Sequence, residues 1–274
     1  MRPGAVSPEM QASELPGSDA LRPRLAFYRP GCRQGPHGHS VSHVSIVVAG
    51  SFRETTARGD RVICQGNVGF RAASAEHSVS YGPAGALILS IETDSWMSDG
   101  GENADIEWVR ATARTAREVV DLMSAGSDAA DEVAQRLLDL WIASREPACA
   151  STRRCAPPWL REAAEYLLAA PQEVAIAALA RRSGVHRVHF SRLFLRHYGM
   201  APSIFRRRAM AAQALAAVLG QEANLAHAAA HGGFADQSHM TRAVRECCGM
   251  GAGAIRRLLT GEVASVQSHV AAAG

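Results

Sequence analysis

The sequence predicts an α+β chain of more than one domain, in which an antiparallel β-barrel or sandwich precedes an all-α half. Three observations lead there. Short β-rich runs broken by Gly, Pro and Ser, namely HVSIVVAGSF, DRVICQGNVGF and GALILSIE, fill the region from Leu21 to Ile91. Beyond Pro158 the apolar positions recur at helical spacing as far as Leu259. A chain of 274 residues also exceeds the ~250 residues at which a single core stops growing.

Taken in order, residues 1–20 have no apolar stretch of the kind an export signal needs, so they are expected to be a disordered leader of a cytoplasmic protein. The barrel is assigned to residues 21–100. Ile106, Val109, Ala113, Ala116, Val120 and Met123, then Val133, Leu137, Leu138, Trp141 and Ile142, recur at steps of three and four. They predict a helical region at 101–146 that packs on the barrel or joins two copies as a homodimer. Within REPACASTRRCAPP, residues 147–158 read as the interdomain linker.

The all-α domain is placed at 159–260, with a tail at 261–274. Its first helix carries Leu160, Ala164, Leu167 and Leu168, and further helices are expected over Val174–Arg182, Arg187–Tyr198, Ser203–Leu219, Leu225–His231 and Asp236–Cys248. Gly184, Gly199, Gly220, Gly232, Gly233 and Gly249 stand at the breaks, where positive φ is expected.

Composition narrows the function classes. The chain is 47% hydrophobic and 20% charged, which suits a globular protein, and no apolar run approaches the ~20 residues of a membrane span. The net charge of +3 conceals a division, because residues 151–274 hold 15 Arg against 7 acidic residues and residues 1–150 hold 14 Arg against 19. A basic half joined to an acidic half points to a polyanion-binding module. Arg supplies every basic residue, which genomic base composition explains. Cys32, Cys64, Cys149, Cys155, Cys247 and Cys248 follow no CxxC spacing and read as reduced thiols, with a redox pair at Cys149 and Cys155 or at Cys247 and Cys248 as the alternative.

An internal repeat is the strongest signal. HFSRLFLRHYGM, from His189 to Met200, aligns without gaps on HMTRAVRECCGM, from His239 to Met250. Gly184 and Val185 correspond to Gly233 and Phe234, so each copy reads as a short helix, a glycine turn and a second helix, which is a helix-turn-helix unit. In the first copy Phe190, Leu193, Phe194 and Tyr198 form a stripe to be buried, and Arg187, Ser191, Arg192 and Arg196 share the opposite face. Such a basic, hydroxyl-bearing face suits a DNA major groove. A helical hairpin array with a merely solvated arginine face is the alternative. RNA binding is disfavoured because neither helix offers exposed aromatics for stacking.

GVHRVHFSRLFLRHYGMAPSIFRRR and LAHAAAHGGFADQSHMTRAVRECCG, over about Trp159 to Arg257, resemble the DNA-binding domain of the AraC/XylS family of transcription regulators. The resemblance implies a sequence-specific, effector-responsive activator that inserts two recognition helices into successive major grooves and binds no membrane. The implied partners are double-stranded DNA, a small-molecule effector and RNA polymerase. It further implies base reading by Val188, Ser191 and Arg192 in one helix and by Gln237, Ser238, Thr241 and Arg242 in the other. Phosphate contact or helix capping falls to Arg187, His189 and Arg196. Two departures are Met240, where the family has Phe, and GMGAGAI, which lacks the usual Thr-Pro and aromatic and predicts a looser final helix.

The resemblance also implies a cupin-like sensory barrel. His37, His39, His43 and His77 in HGHSVSH and SAEHSVSY echo the spacing by which cupin barrels gather a metal, although a Glu is usual where His43 stands. Two readings remain open. The histidines line an effector pocket with no cofactor required, in a protein that is not an enzyme. Alternatively they hold a divalent transition metal, in a metal sensor or a cupin-type metal-dependent enzyme fused to a DNA-binding domain.

Overall fold

The computed structural model describes residues 10–73, 75–93, 106–111, 113–144, 156–173, 175–220 and 224–261. Among the described residues, eight strands form one antiparallel sheet: β1 (Met10–Glu14), β2 (Leu21–Tyr28), β3 (Arg33–His37), β4 (Ser42–Thr56), β5 (Gly59–Cys64), β6 (Asn67–Arg71), β7 (His77–Thr93) and β8 (Ile106–Arg110). The order is β1-β2-β7-β4-β6-β8, with β3 added to β7 and β5 to β4. The long strands β4 and β7 pair with each other and shift register between Val47 and Ala49 and between Gly50 and Phe52. Gly50, at φ +79, makes the bend possible, because a Cβ there would lie 2.1 Å from the Gly85 carbonyl oxygen.

These bulges re-aim the side chains of β4. His43 and Ser45 face the concave side before them, and Phe52 lines the same cavity after them. On β7, Leu87, Leu89 and Ile91 enter the core shared with the helices, whereas Ala86 and Ile88 alternate onto the concave side.

The antiparallel β-structure expected at the N-terminal end is therefore present as a folded sheet, with two corrections. Residues 10–14 of the expected leader are a strand paired to β2 from Met10↔Tyr28 to Glu14↔Arg24, because the free edge of β2 offers backbone partners that a local reading cannot foresee. Ile106 and Val109 belong to β8, paired to β6, and not to a helix; over five residues their spacing of three fits either structure.

The helices are α1 (Ala113–Ser124), α2 (Ser127–Ser144), α3 (Pro158–Ala169), α4 (Ile176–Arg182), α5 (Arg187–Tyr198), α6 (Pro202–Leu219), α7 (Leu225–His231), α8 (Gln237–Cys248) and α9 (Ala252–Thr260). Val119, Leu122 and Met123 of α1 and Val133, Leu137 and Leu138 of α2 join the core beneath β2, β4 and β7, so these helices pack on the sheet. The expected leader residues 1–9, most of the linker and the tail beyond Gly261 lie outside the described residues, as do Cys149 and Cys155.

The repeat is visible in the caps. The His186 ring accepts from the Val188 amide at the start of α5, and the Asp236 carboxylate accepts from the His239 amide at the start of α8. Gly199 and Gly249 close the same helices in the left-handed conformation, at φ 66 and 78. Gly184 and Gly233 also have positive φ, but Gly220 and Gly232, at φ −76, correct the expectation for those two breaks. The final helix α9 is regular, with Ile255 fully buried and Leu259 nearly so. This corrects the expected looser end, because burial of those two side chains supplies what the missing aromatic would have. Met240 is as buried as Phe190, its counterpart, and its flexible thioether fills the same place.

A methyl at Gly249 would fall 1.9 Å from Val120 Cγ2, whereas one at Gly184 would meet nothing within 4 Å. Gly184→Ala is expected to cost only the left-handed backbone penalty of ~1–2 kcal/mol. Gly249→Ala should cost clearly more, and urea denaturation of the two variants measures the difference.

Candidate nucleic-acid interface and histidine pocket

The two recognition helices bury corresponding positions. Phe190 and Phe194 of α5 and Met240 and Val244 of α8 point inward. Arg187, Val188, His189, Arg192 and Arg196 are exposed on α5, and Ser191 is half-buried. Gln237, Ser238 and Arg242 are exposed on α8, and Thr241 is half-buried. Val188 keeps 46% of its surface in solvent. The residues expected to read bases thus share one accessible face on each helix.

His189 is not the cap; that role belongs to His186. The second helix is less basic than the first, since Glu246 stands where α5 has Arg196 and is bound by Arg207 at 2.7 Å.

The concave side of the sheet encloses a cavity of about 230 Å³ lined by His37, His39, His43, Arg71, His77 and the stacked Tyr28 and Tyr81, among others. Strand pairing sets His37 opposite His77, and both reach toward His39. His77 Nε2 lies 3.1 Å from His37 Nε2 and 3.3 Å from His39 Nε2. His37 Nδ1 donates to the Gly35 carbonyl at 2.8 Å, and His77 Nδ1 donates to Glu54 Oε1 at 3.0 Å. Both acceptors only accept, so in the neutral rings both Nε2 atoms carry lone pairs that face each other. That arrangement calls for a cation or a donor between them.

The three nitrogens lie within 4.8 Å of one another, and ligand atoms ~2.0–2.1 Å from a tetrahedral metal stand roughly 3.3 Å apart. The site therefore fits a transition metal, and Glu54 behind His77 supplies the carboxylate that orients such a ligand. His43 departs from the expected set of four. Its Nε2 sits 3.0 Å from Arg71 Nη1, a group that only donates, so that lone pair is already committed.

Sequence reasoning missed Glu54, Arg71 and Trp108. Arg71 Nη2 bonds Glu54 Oε1 at 2.7 Å, and the Trp108 indole donates to Glu54 Oε2 at 2.6 Å. Glu54, between Arg53 and Thr55, gave no local signal, and Arg71 gave only a charge at the end of the run from Val68 to Phe70. Burial raises the Glu54 carboxyl, but the His77 bond, the Arg71 charge and the Trp108 bond outweigh it and hold the group below its ordinary value.

Among the described residues, Cys247 and Cys248 give no support to a redox pair. Burial pushes Cys247 and Cys248 up, and Cys64 up to about 11, away from the reactive thiolate.

Residues 179–258 match the helix-turn-helix domain family. No curated protein matches the chain significantly. Among solved structures, ToxT of Vibrio cholerae is 9% identical over 88% of this chain and 98% of its own, with a TM-score of 0.37. The C-terminal domain of AraT, a response regulator from Geobacillus stearothermophilus, is 20% identical over 38% of this chain and 88% of its own, with a TM-score of 0.35. A cupin superfamily protein from Desulfitobacterium hafniense is 14% identical over 34% and 84%, with a TM-score of 0.30. No helix among the described residues is long and apolar enough to cross a membrane.

Burial, then the Arg71 charge, push the His43 imidazole down to about 2 and the His39 imidazole down to about 3. Both rings stay neutral in the fold while the unfolded chain protonates them near 6.5, so the unfolded state binds more protons and stability is lost as pH falls below that value. With chelator present, unfolding free energy should drop by about 1.4 kcal/mol per pH unit for each ring between pH ~6.5 and ~5. His43→Gln, which still accepts from Arg71, should remove one ring's share of the slope, about 1.4 kcal/mol per pH unit, in urea titrations.

Proposed function

We propose that this chain, a DNA-binding transcription regulator whose residues 179–258 form an AraC-type helix-turn-helix domain, reads two successive major grooves of one duplex and answers to a ligand in its histidine pocket. The observation that carries this reading is the pair of recognition helices, alike in caps and burial and joined by the buried helix α6. Arg192 and Arg242 suit guanine edges, Gln237 suits adenine, and Ser191, Ser238 and Thr241 suit either. Val188 offers an apolar contact to a thymine methyl. Arg187, His189 and Arg196 flank these residues and suit phosphates, which position the protein without specifying sequence.

A ligand in the pocket regulates only if it binds two arrangements of the chain unequally. Activation is the outcome we assign, with RNA polymerase as the partner it requires. A homodimer completes the reading, but Val119, Leu122 and Met123 of α1 and Val133, Leu137 and Leu138 of α2 are buried within the chain, and the large apolar side chains left exposed among the described residues are Val188, Leu195 and Ile204.

The facing lone pairs favour a second reading, a metal sensor or a cupin-type metal enzyme. His37, His39 and His77 would hold the metal, which when bound would supply a Lewis acid. His43 and Arg71 would instead line the pocket beside it.

Selection of bound duplexes from a random pool tests the first reading, and failure to enrich any sequence overturns it. On an enriched site Arg192→Ala and Arg242→Ala should each cost ~1–3 kcal/mol and relax preference at one position. Arg196→Ala should weaken all duplexes alike and reduce the salt slope by about one. For the metal, His77→Ala should abolish stoichiometric divalent metal in the purified protein and His43→Gln should retain it; equal metal content in both variants counts against a three-histidine site.

A further inference from the structure

The two helix-turn-helix units are not attached to the sheet in the same way. Leu219 of α6 and Val244, Cys248 and Ile255 of the second unit share one continuous core with Leu87 and Leu89 of β7. The first unit packs around a core of its own, including Leu160, Leu179, Phe190, Phe194 and Phe205, to which the sheet contributes Cys64.

Two arginines tie the first unit to the sheet. Arg53 of β4 pairs with Glu165 of α3 at 2.7 Å, and Arg110 of β8 donates to the His197 carbonyl at the end of α5. Gly199, which closes α5, leaves room for Arg110, since a Cβ there would lie 2.4 Å from its Cδ. The corresponding carbonyl of the second helix, that of Cys247, accepts from Gln65 at 2.8 Å. Gln65 and Arg110 come from adjoining backbone, because Asn67 pairs with Arg110 and the Ala111 amide bonds the Gly66 carbonyl. One patch of sheet thus holds the same point on both recognition helices.

Both arginines lie close in sequence to residues of the buried carboxylate cluster. Arg53 adjoins Glu54 on β4, and Arg110 is two residues along β8 from Trp108, which bonds Glu54. The reading faces remain exposed in this arrangement, so the contacts leave them free to meet DNA.

We propose that Arg53 and Arg110 are positioning residues that fix the first recognition helix relative to the second, and so set the groove-to-groove spacing this protein accepts. The inference rests on the reading that both helices engage one duplex. The second unit cannot reorient without opening the shared core, whereas the first meets the sheet through Cys64 and these two polar contacts and is joined to the second unit by α6 and by Gln172, which donates to the His231 carbonyl; polar contacts at the surface are individually weak and exchangeable with water.

The test uses the full chain and a duplex enriched from a random pool by the unaltered protein, together with versions carrying one or two base pairs inserted or removed between its two contacted segments. The double variant Arg53→Ala, Arg110→Ala should bind the original duplex about tenfold more weakly, as expected if the competent orientation falls to about a tenth of the population. It should also lose most of the penalty for altered spacing, keep the unaltered salt slope and melt cooperatively. Restoring the donor with Arg110→Lys in the single variant should recover the spacing preference.

Unchanged affinity and spacing preference would overturn the proposal. Tighter binding would overturn it too, since the contacts would then hold the helix out of register. A reduced salt slope would show that these arginines touch phosphates. If the unaltered protein enriches no duplex, the DNA reading itself fails, an outcome separate from the others.

Discussion

A single buried carboxylate ties the sheet together. Glu54 is 2% exposed and accepts from Arg71 on β6, His77 on β7 and Trp108 on β8, while its own backbone lies in β4. Taking a charge out of water costs several kcal/mol, and only close, well-directed partners offset it. Four strands must therefore meet at one point for the charge to be tolerated. That requirement selects the register shifts in β4, which turn Glu54 inward. It also orients His77, whose ring nitrogen toward the cavity is left as an acceptor because the other is held as a donor.

The helical half obeys a different constraint. Each recognition helix must bury one stripe and leave the other bare, and the two copies solve this with different interiors. Aromatic side chains fill the first, where Phe194 stacks among Tyr198 and Phe205. Smaller side chains such as Ala243 fill the second, which can be thinner because the sheet and α6 lie behind it. The pairing of Glu246 with Arg207 fits the same difference, since the second helix carries less positive charge than the first.

Much of this was legible in the sequence, and what was not has a common cause. The helix Arg187–Tyr198 was bounded to the residue, and Asp236 stood one residue ahead of Gln237–Cys248, because caps, glycines and apolar spacing are local signals. The strands Met10–Glu14 and Ile106–Arg110 were missed because each exists only through an edge supplied by distant residues. The same holds for the site. Four histidines were found by spacing, but that Arg71 withdraws His43 from the group follows from strand pairing between His43 and Arg71. Glu54 offered no motif, and its role comes from partners up to 54 positions away.

The core that the second helix-turn-helix unit shares with the sheet bears on how such a chain can be divided. A fragment cut after α2 would strip the inward faces of α6, α8 and α9 of the leucines and isoleucines that cover them and present those faces to water. The half that resembles a self-sufficient reading head is in this respect a lodger, its floor built by residues more than a hundred positions upstream. Grafting it onto another sensor would demand a matching apolar surface as well as a suitable linker.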